Sequence, residues 1–304
     1  MGSVISERGY KIQIQEVGPR DGFQIVQQFI PTETKLDIIG RLVRSGLTKI
    51  QATSFVSPKA VPQMRDAAEV ASLCVERYPD TQFFALVPNL RGAQGAVDAG
   101  LDEVAPVLSL SESHNKANVG KTVVESIEET KRIRDAYPDL KIVQDISTVF
   151  GCPFEGDMDI PPLIEMIGKI SELGINEFTL CDTIGTAYPK QVEDVFDSVK
   201  TAFPDIVFNV HIHDTRNMGM INTYIAIQHG AIGVQSSLGG LGGCPFAPGA
   251  SGNTATEDLV YMLCAEGFDT GIDFDQLLDA AKFLRKQVAG NYSGHHVMIG
   301  DKED

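Results

Sequence analysis

Two histidines, His211 and His213, stand one residue apart in the run VFNVHIHD (207–214). Side chains at i and i+2 of a strand share a face, so two metal-competent imidazoles would lie side by side. Taken alone, the pair reads equally well as two core or surface histidines. Asp21, in EVGPRDGFQ (16–24), and Asn253, beyond a late glycine-rich loop, could join them around one ion. Asp21 could also cap a helix, and Asn253 could stabilise a turn. Oxygen and imidazole donors with no thiolate suit Mg²⁺, Mn²⁺ or a similar divalent ion. Arg20, beside Asp21, could hold a carbonyl oxygen or enolate as it gains charge, or form a surface salt bridge. Gly18, Pro19 and Gly22 around it suggest a special backbone path. Cys244, in GGLGGCP (239–245), could swing into a site and pass a proton, or be a small apolar filler. Cys152 has no close titratable neighbour in sequence.

These residues need elements to place them. Strand-like runs begin near Lys11, Lys49, Gln82, Glu103, Lys141, Glu177, Val207 and Ile232. Helical patterns separate them over 34–45, 64–78, 90–99, 119–136, 161–173, 189–203 and 217–228, and two more close the chain over 256–265 and 274–289. Pro161 and Pro189 sit near helix starts, where a missing N–H costs least. Gly46 and Gly174 fall just past helix ends, where a left-handed residue is wanted. Eight strands each followed by a helix fit a (β/α)₈ TIM barrel with extra C-terminal helices. A doubly wound sheet is the alternative, but no glycine-rich dinucleotide turn follows the first strand. Asp21, Asp182, His211, His213 and Asn253 then fall at strand C-termini, the end where such barrels build sites. The whole chain, 1–304, reads as one domain with loose ends at about 1–9 and 291–304. A solvated terminal pair is expected for His295 and His296.

Composition sets limits. The chain has 304 residues, 43% hydrophobic, enough for a sizeable core, and a formal net charge of −16. That charge disfavours nonspecific binding to nucleic acid or anionic membranes. No apolar run approaches the roughly 18 residues of a membrane span, and no secretory signal opens the sequence. Five widely spaced cysteines without a CxxC motif suggest reduced thiols in the cytoplasm.

Several blocks carry a family resemblance: EVGPRDGFQ (16–24), TSFVSPKAVPQM (53–64), FGCPFEG (150–156), DTIG (182–185), HIHDT (211–215) and GLGGCPFAPGASGNTATEDLVYML (240–263). Over roughly residues 11–290 the chain resembles the 3-hydroxy-3-methylglutaryl-CoA (HMG-CoA) lyases, of the metal-dependent lyase and Claisen-condensing superfamily. The resemblance implies cleavage of HMG-CoA to acetyl-CoA and acetoacetate, a divalent cation, an acyl-CoA substrate and a homodimer. It implies that Asp21, His211, His213 and Asn253 hold the metal. Arg20 would stabilise the enolate and Cys244 would help proton transfer. Asp182 falls on an active-site aspartate, and Gln24 and Gln51 on substrate-side positions. The base for the 3-hydroxyl stays open between Asp21 and His211. Two positions depart from the family pattern: Gln51 replaces a glutamate and Gln235 an aspartate. Each removes a carboxylate that could accept a proton, and each lowers the cost of another negative group nearby. That motivates one alternative, a sibling lyase or aldolase with another hydroxyacyl substrate; a separate one is a non-catalytic CoA-ester-binding barrel, against which the four retained ligand positions argue.

Overall fold

The computed structural model describes residues 11–243 and 252–299. Strands and helices alternate: β1 Gln13–Glu16, α1 Thr32–Arg44, β2 Lys49–Ser54, α2 Ala67–Arg77, β3 Gln82–Val87, α3 Leu90–Asp98 and β4 Glu103–Ser109. Next come α4 Glu112–Val119, α5 Val123–Ala136, β5 Lys141–Ile142, β6 Gln144–Ser147, α6 Ile160–Ser171, β7 Glu177–Asp182, α7 Pro189–Ala202 and β8 Val207–Ile212. The described residues finish with α8 Gly219–Gln228, β9 Gly233–Ser236, α9 Thr256–Ala265 and α10 Phe274–Gln287. All strand pairings are parallel, in the order β3-β2-β1-β9-β8-β7-β6-β4-β5, and a β3–β4 pairing closes the ring. Both β5 and β6 pair with β4, so they are two halves of one stave and the cylinder has eight. This is the TIM barrel expected from the alternation.

The strands form because β-branched and aromatic runs such as FFALV and VFNVHI can bury both faces, one toward the helices and one into the barrel. The main apolar core lies between sheet and helices, where Ile39, Leu42, Ile167, Phe196, Leu263 and Leu284 are fully buried. The barrel interior is different. Only Val17, Phe84 and Ala105 form a small apolar cluster of their own. Gln15, Lys49, Gln51, Glu103, Asp145, Thr179, Asn209 and Gln235 are buried polar residues on the same staves.

Helix boundaries follow local chemistry. Gly46 and Gly174 take φ of +98° and +77°, as their positions after α1 and α6 require. The single helix expected over 119–136 is a correction. Gly120, at φ +72°, ends α4, and Thr122 opens α5 with a capping box to Glu125. The loose tail expected from 291 is also corrected for 291–299. Val297 is buried there, and Asp258 accepts hydrogen bonds from the backbone of His295 and His296 at 2.7 and 2.9 Å. Residues 1–10 and 300–304 lie outside the described residues.

Candidate active site and metal centre

After β1 the chain makes one wide helical turn, Gly18–Gly22, in which the Phe23 N–H reaches the Gly18 carbonyl. This turn carries the adjacent Arg20 and Asp21 side chains to the same side, which a strand could not do. Glu16 pins it: its carboxylate accepts from Gly18 N at 2.7 Å, Leu238 N at 2.9 Å and the Thr256 hydroxyl at 2.6 Å. A Cβ on Gly18 would lie 2.6 Å from Glu16 Oε1, so the close approach requires glycine. Burial pushes the Glu16 carboxyl up to about 7 despite those donors.

At the end of β8 the two imidazoles lie together, ring centroids 5.1 Å apart. Residue 253 reaches them because the chain there runs beside the end of β8. His213 pairs with Asn253 in an antiparallel bridge, and Asp214 N donates to Gly252 O at 2.8 Å. Ligand atoms of Asp21, His211 and His213 lie within 4.8 Å of one another, all buried. Asn253 Nδ2 donates to Asp21 Oδ2 at 2.8 Å, leaving Asn253 Oδ1 buried without a hydrogen-bond partner. The four residues singled out for a metal therefore converge.

Their protonation suits a cation. Burial alone would raise the Asp21 carboxyl, but the Arg20 charge, the imidazoles and the Asn253 hydrogen bond outweigh it and bring it down to about 2. Burial depresses His211, and burial with the neighbouring His211 brings His213 down to about 4, so both rings are neutral near pH 7. His211 Nδ1 lies 3.0 Å from Gln235 Oε1. An amide oxygen only accepts, so Nδ1 carries the proton and Nε2 keeps its lone pair. An ionised carboxylate, two neutral imidazoles and an unpartnered amide oxygen form a donor set that fits a divalent cation.

Arg20 sits beside this cluster, its Nε donating to Gln51 Oε1 and a terminal nitrogen to Asp21 Oδ1. Gln24 Nε2 also donates to Asp21 Oδ1, at 2.8 Å. Arg20, Asp21, Gln24, His211 and His213 open on a cavity of about 1020 Å³, whose far side is built by residues such as Ser57, Asn89 and His114. Gln51 and Asn253 stand behind the lining residues. Asp182 turns into the loop after β7, its carboxylate accepting from Thr186 N and Ala187 N at 3.0 and 3.1 Å. Burial, partly offset by those N–H groups, raises it to about 6. Cys244 lies outside the described residues.

Sequence reasoning passed over Asp145 and His114, which also line the cavity, and placed Cys181, which lines it too, at a strand C-terminus without a role. The signal for Asp145 was a lone carboxylate inside the apolar strand run IVQDIS. Cys181 stays a thiol, pushed well up by burial, so it adds no thiolate to the donor set.

Comparisons with known proteins agree with this geometry. A family model described as HMGL-like matches residues 11–284. The chain is 42% identical over 280 residues to the hydroxymethylglutaryl-CoA lyase of Bacillus subtilis, covering 91% of this chain and 93% of that protein. It is 41% identical over 276 residues to the mitochondrial hydroxymethylglutaryl-CoA lyase of Bos taurus, covering 90% and 85%. A solved HMG-CoA lyase from Acinetobacter baumannii, in complex with coenzyme A and 3-methylmalate, superposes with a TM-score of 0.90 at 39% identity, covering 97% and 96%.

Proposed function

The chain belongs to the HMG-CoA lyase family, and from that premise we propose that it cleaves HMG-CoA to acetyl-CoA and acetoacetate. The observation that carries this reading is the convergence of Asp21, His211 and His213 beside Arg20 at the mouth of one large cavity. The relatives' shared activity favours this substrate over another hydroxyacyl-CoA and over a non-catalytic barrel.

Asp21, His211, His213 and Asn253 would hold a divalent cation, Mg²⁺ or Mn²⁺. Bound there, it supplies a Lewis acid that makes the substrate's 3-hydroxyl more acidic. Gln235 keeps the His211 lone pair aimed at the site through Nδ1. Arg20, held at Nε by a neutral carboxamide rather than a second carboxylate, presents its charge to the thioester oxygen as electrons move onto it. Gln24 orients Asp21 and faces the acyl group. Cys244 helps return a proton to C2, and the loop that carries it excludes water from the enolate. Asp182 positions the β7–α7 loop at the rim. The family resemblance implies a homodimer, and the widely spaced cysteines imply the cytoplasm, which sedimentation and cell fractionation test.

The deciding experiment is acetoacetate release from HMG-CoA by the purified protein. Release that stops with chelator and returns with Mg²⁺ or Mn²⁺ supports the reading; chelator-insensitive release, or none, overturns it.

A further inference from the structure

The buried carboxylates around the barrel mouth differ in what they do for the fold. Glu16 ties three segments together through two backbone N–H groups and a hydroxyl. Glu257 accepts from Gly239 N at 2.8 Å, and Asp182 organises its own loop. Asp21 is held by Arg20, Gln24 and Asn253. Asp145 is the exception. It sits on β6, in register with Val107 of β4 and Thr179 of β7, only 4% exposed, in the wall of the cavity with Arg20, Cys181 and His211. Its Oδ1, like Glu257 Oε1, makes no hydrogen bond among the described residues, but of the two only Asp145 lines the cavity. Burying such an atom costs stability, and no loop or helix end gains from it.

We propose that Asp145 is a catalytic residue of this site, the base that takes the 3-hydroxyl proton as the C2–C3 bond breaks. The inference rests on the lyase reading above. Asp21 is saturated with donors from Arg20, Gln24 and Asn253, and it would be engaged by the cation as well. The lone pair of His211 is engaged by the cation that the site would hold. Asp145 is raised to about 6, chiefly by burial, with Arg20, Lys49 and the Thr179 hydroxyl pulling down and Glu103 pushing up. A proton affinity near neutrality is what a general base requires. The proton leaves the 3-hydroxyl for the Asp145 carboxylate, and the C3–O bond becomes the ketone of acetoacetate. The C2–C3 pair passes into the thioester enolate under Arg20. C2 then takes a proton and Asp145 gives its own up, so one proton leaves the 3-hydroxyl, one reaches C2 and the enzyme ends unchanged.

The test uses the metal-loaded full chain. Asp145→Asn is expected to lose roughly a hundredfold or more in kcat with KM for the CoA ester nearly unchanged. Asp145→Glu is expected to keep part of the rate, and formate is expected to restore Asp145→Ala, since the acid replaces the missing carboxylate. An Asn variant within about threefold of wild type overturns the proposal. So does an Ala variant that folds, by its melting curve, yet gains nothing from formate; this arm stands even if Asp145→Asn does not fold. Wild type is assayed first. If it cleaves another 3-hydroxyacyl-CoA but not HMG-CoA, the substrate reading fails alone and the Asp145 series is measured on that ester. If it cleaves none, both fall.

Discussion

The two ends of the barrel interior are both charged, and they handle charge in opposite ways. At the N-terminal end, the first residues of four strands meet. Lys49 lies 2.8 Å from Glu103 and 3.7 Å from Glu177, and Lys141 lies 3.1 Å from Glu103 and 2.9 Å from Glu177. Each lysine faces both glutamates, while Gln82 and Asn209 donate to the same carboxylates. Two positive and two negative charges cancel, and the end is plugged. At the C-terminal end, Arg20 and Asp21 pair, but Asn253 Oδ1, Asp145 Oδ1 and Gln51 Nε2 make no hydrogen bond or ion pair among the described residues, whereas Lys49 Nζ and Glu103 Oε1 of the plug, also without a hydrogen bond, pair as charges. Balanced charge closes one end of the cylinder; unspent bonding capacity marks the other as the place where a ligand completes the structure.

The contrast can be broken from either side. The largest effect is expected at the plug. Glu103→Gln leaves Lys49 buried with one fewer counter-charge and should cost about 3–5 kcal/mol, read in denaturant unfolding. Activity per folded molecule should fall far less than for Asp145→Asn, since Glu103 is a minor influence on Asp145; a comparable loss of kcat would merge the two ends. At the mouth the outcome reverses. Arg20→Gln should cut turnover roughly a hundredfold or more, with substrate binding little changed. Near-normal turnover would remove Arg20 from its role.

Next in size is Gln235→Leu, which frees the His211 ring. It should weaken divalent-cation binding by roughly tenfold to a hundredfold, read by calorimetry with Mn²⁺. An unchanged affinity would show that the ring is fixed by packing alone.

A smaller, pH-dependent effect belongs to the carboxyls behind the mouth. Burial raises Glu257 from 4.5 to about 8. A carboxyl whose folded value lies above its unfolded one favours the fold below pH 4.5 and loses that contribution as pH climbs through about 8. Wild type should therefore melt earlier as pH rises across that window, and Glu257→Gln should flatten the trend. Parallel curves would show that Glu257 ionises freely in the fold. Smallest of all, Lys190→Ala, which removes an exposed pair with Asp194, should leave the melting temperature unchanged, in contrast to the buried plug.

Much of this molecule could be read along the chain. Periodicity is a local property, so the eight staves and most helices were legible in apolar spacing, proline and glycine. Where one helix was expected over 119–136, the overlooked signals were also local, Gly120 and the Thr122–Glu125 capping box. The paired imidazoles were legible because strand alternation alone puts His211 and His213 on one face.

What the sequence could not assign was which buried polar group meets which. Lys49, Glu103, Lys141 and Glu177 each stand at a strand start, but only ring closure, with its fixed register, brings the four together. Asn253 reaches the imidazoles because a short bridge to His213 carries it there across 40 residues of chain. Asp182 and Asp145 look alike in sequence, each a lone carboxylate in a strand. The fold gives one a set of backbone N–H partners and leaves the other open toward the cavity. Pairing depends on distance in three dimensions, and hydrogen bonds and ion pairs decay over a few ångströms, so tertiary structure alone decides which charges are neutralised and which remain available for chemistry.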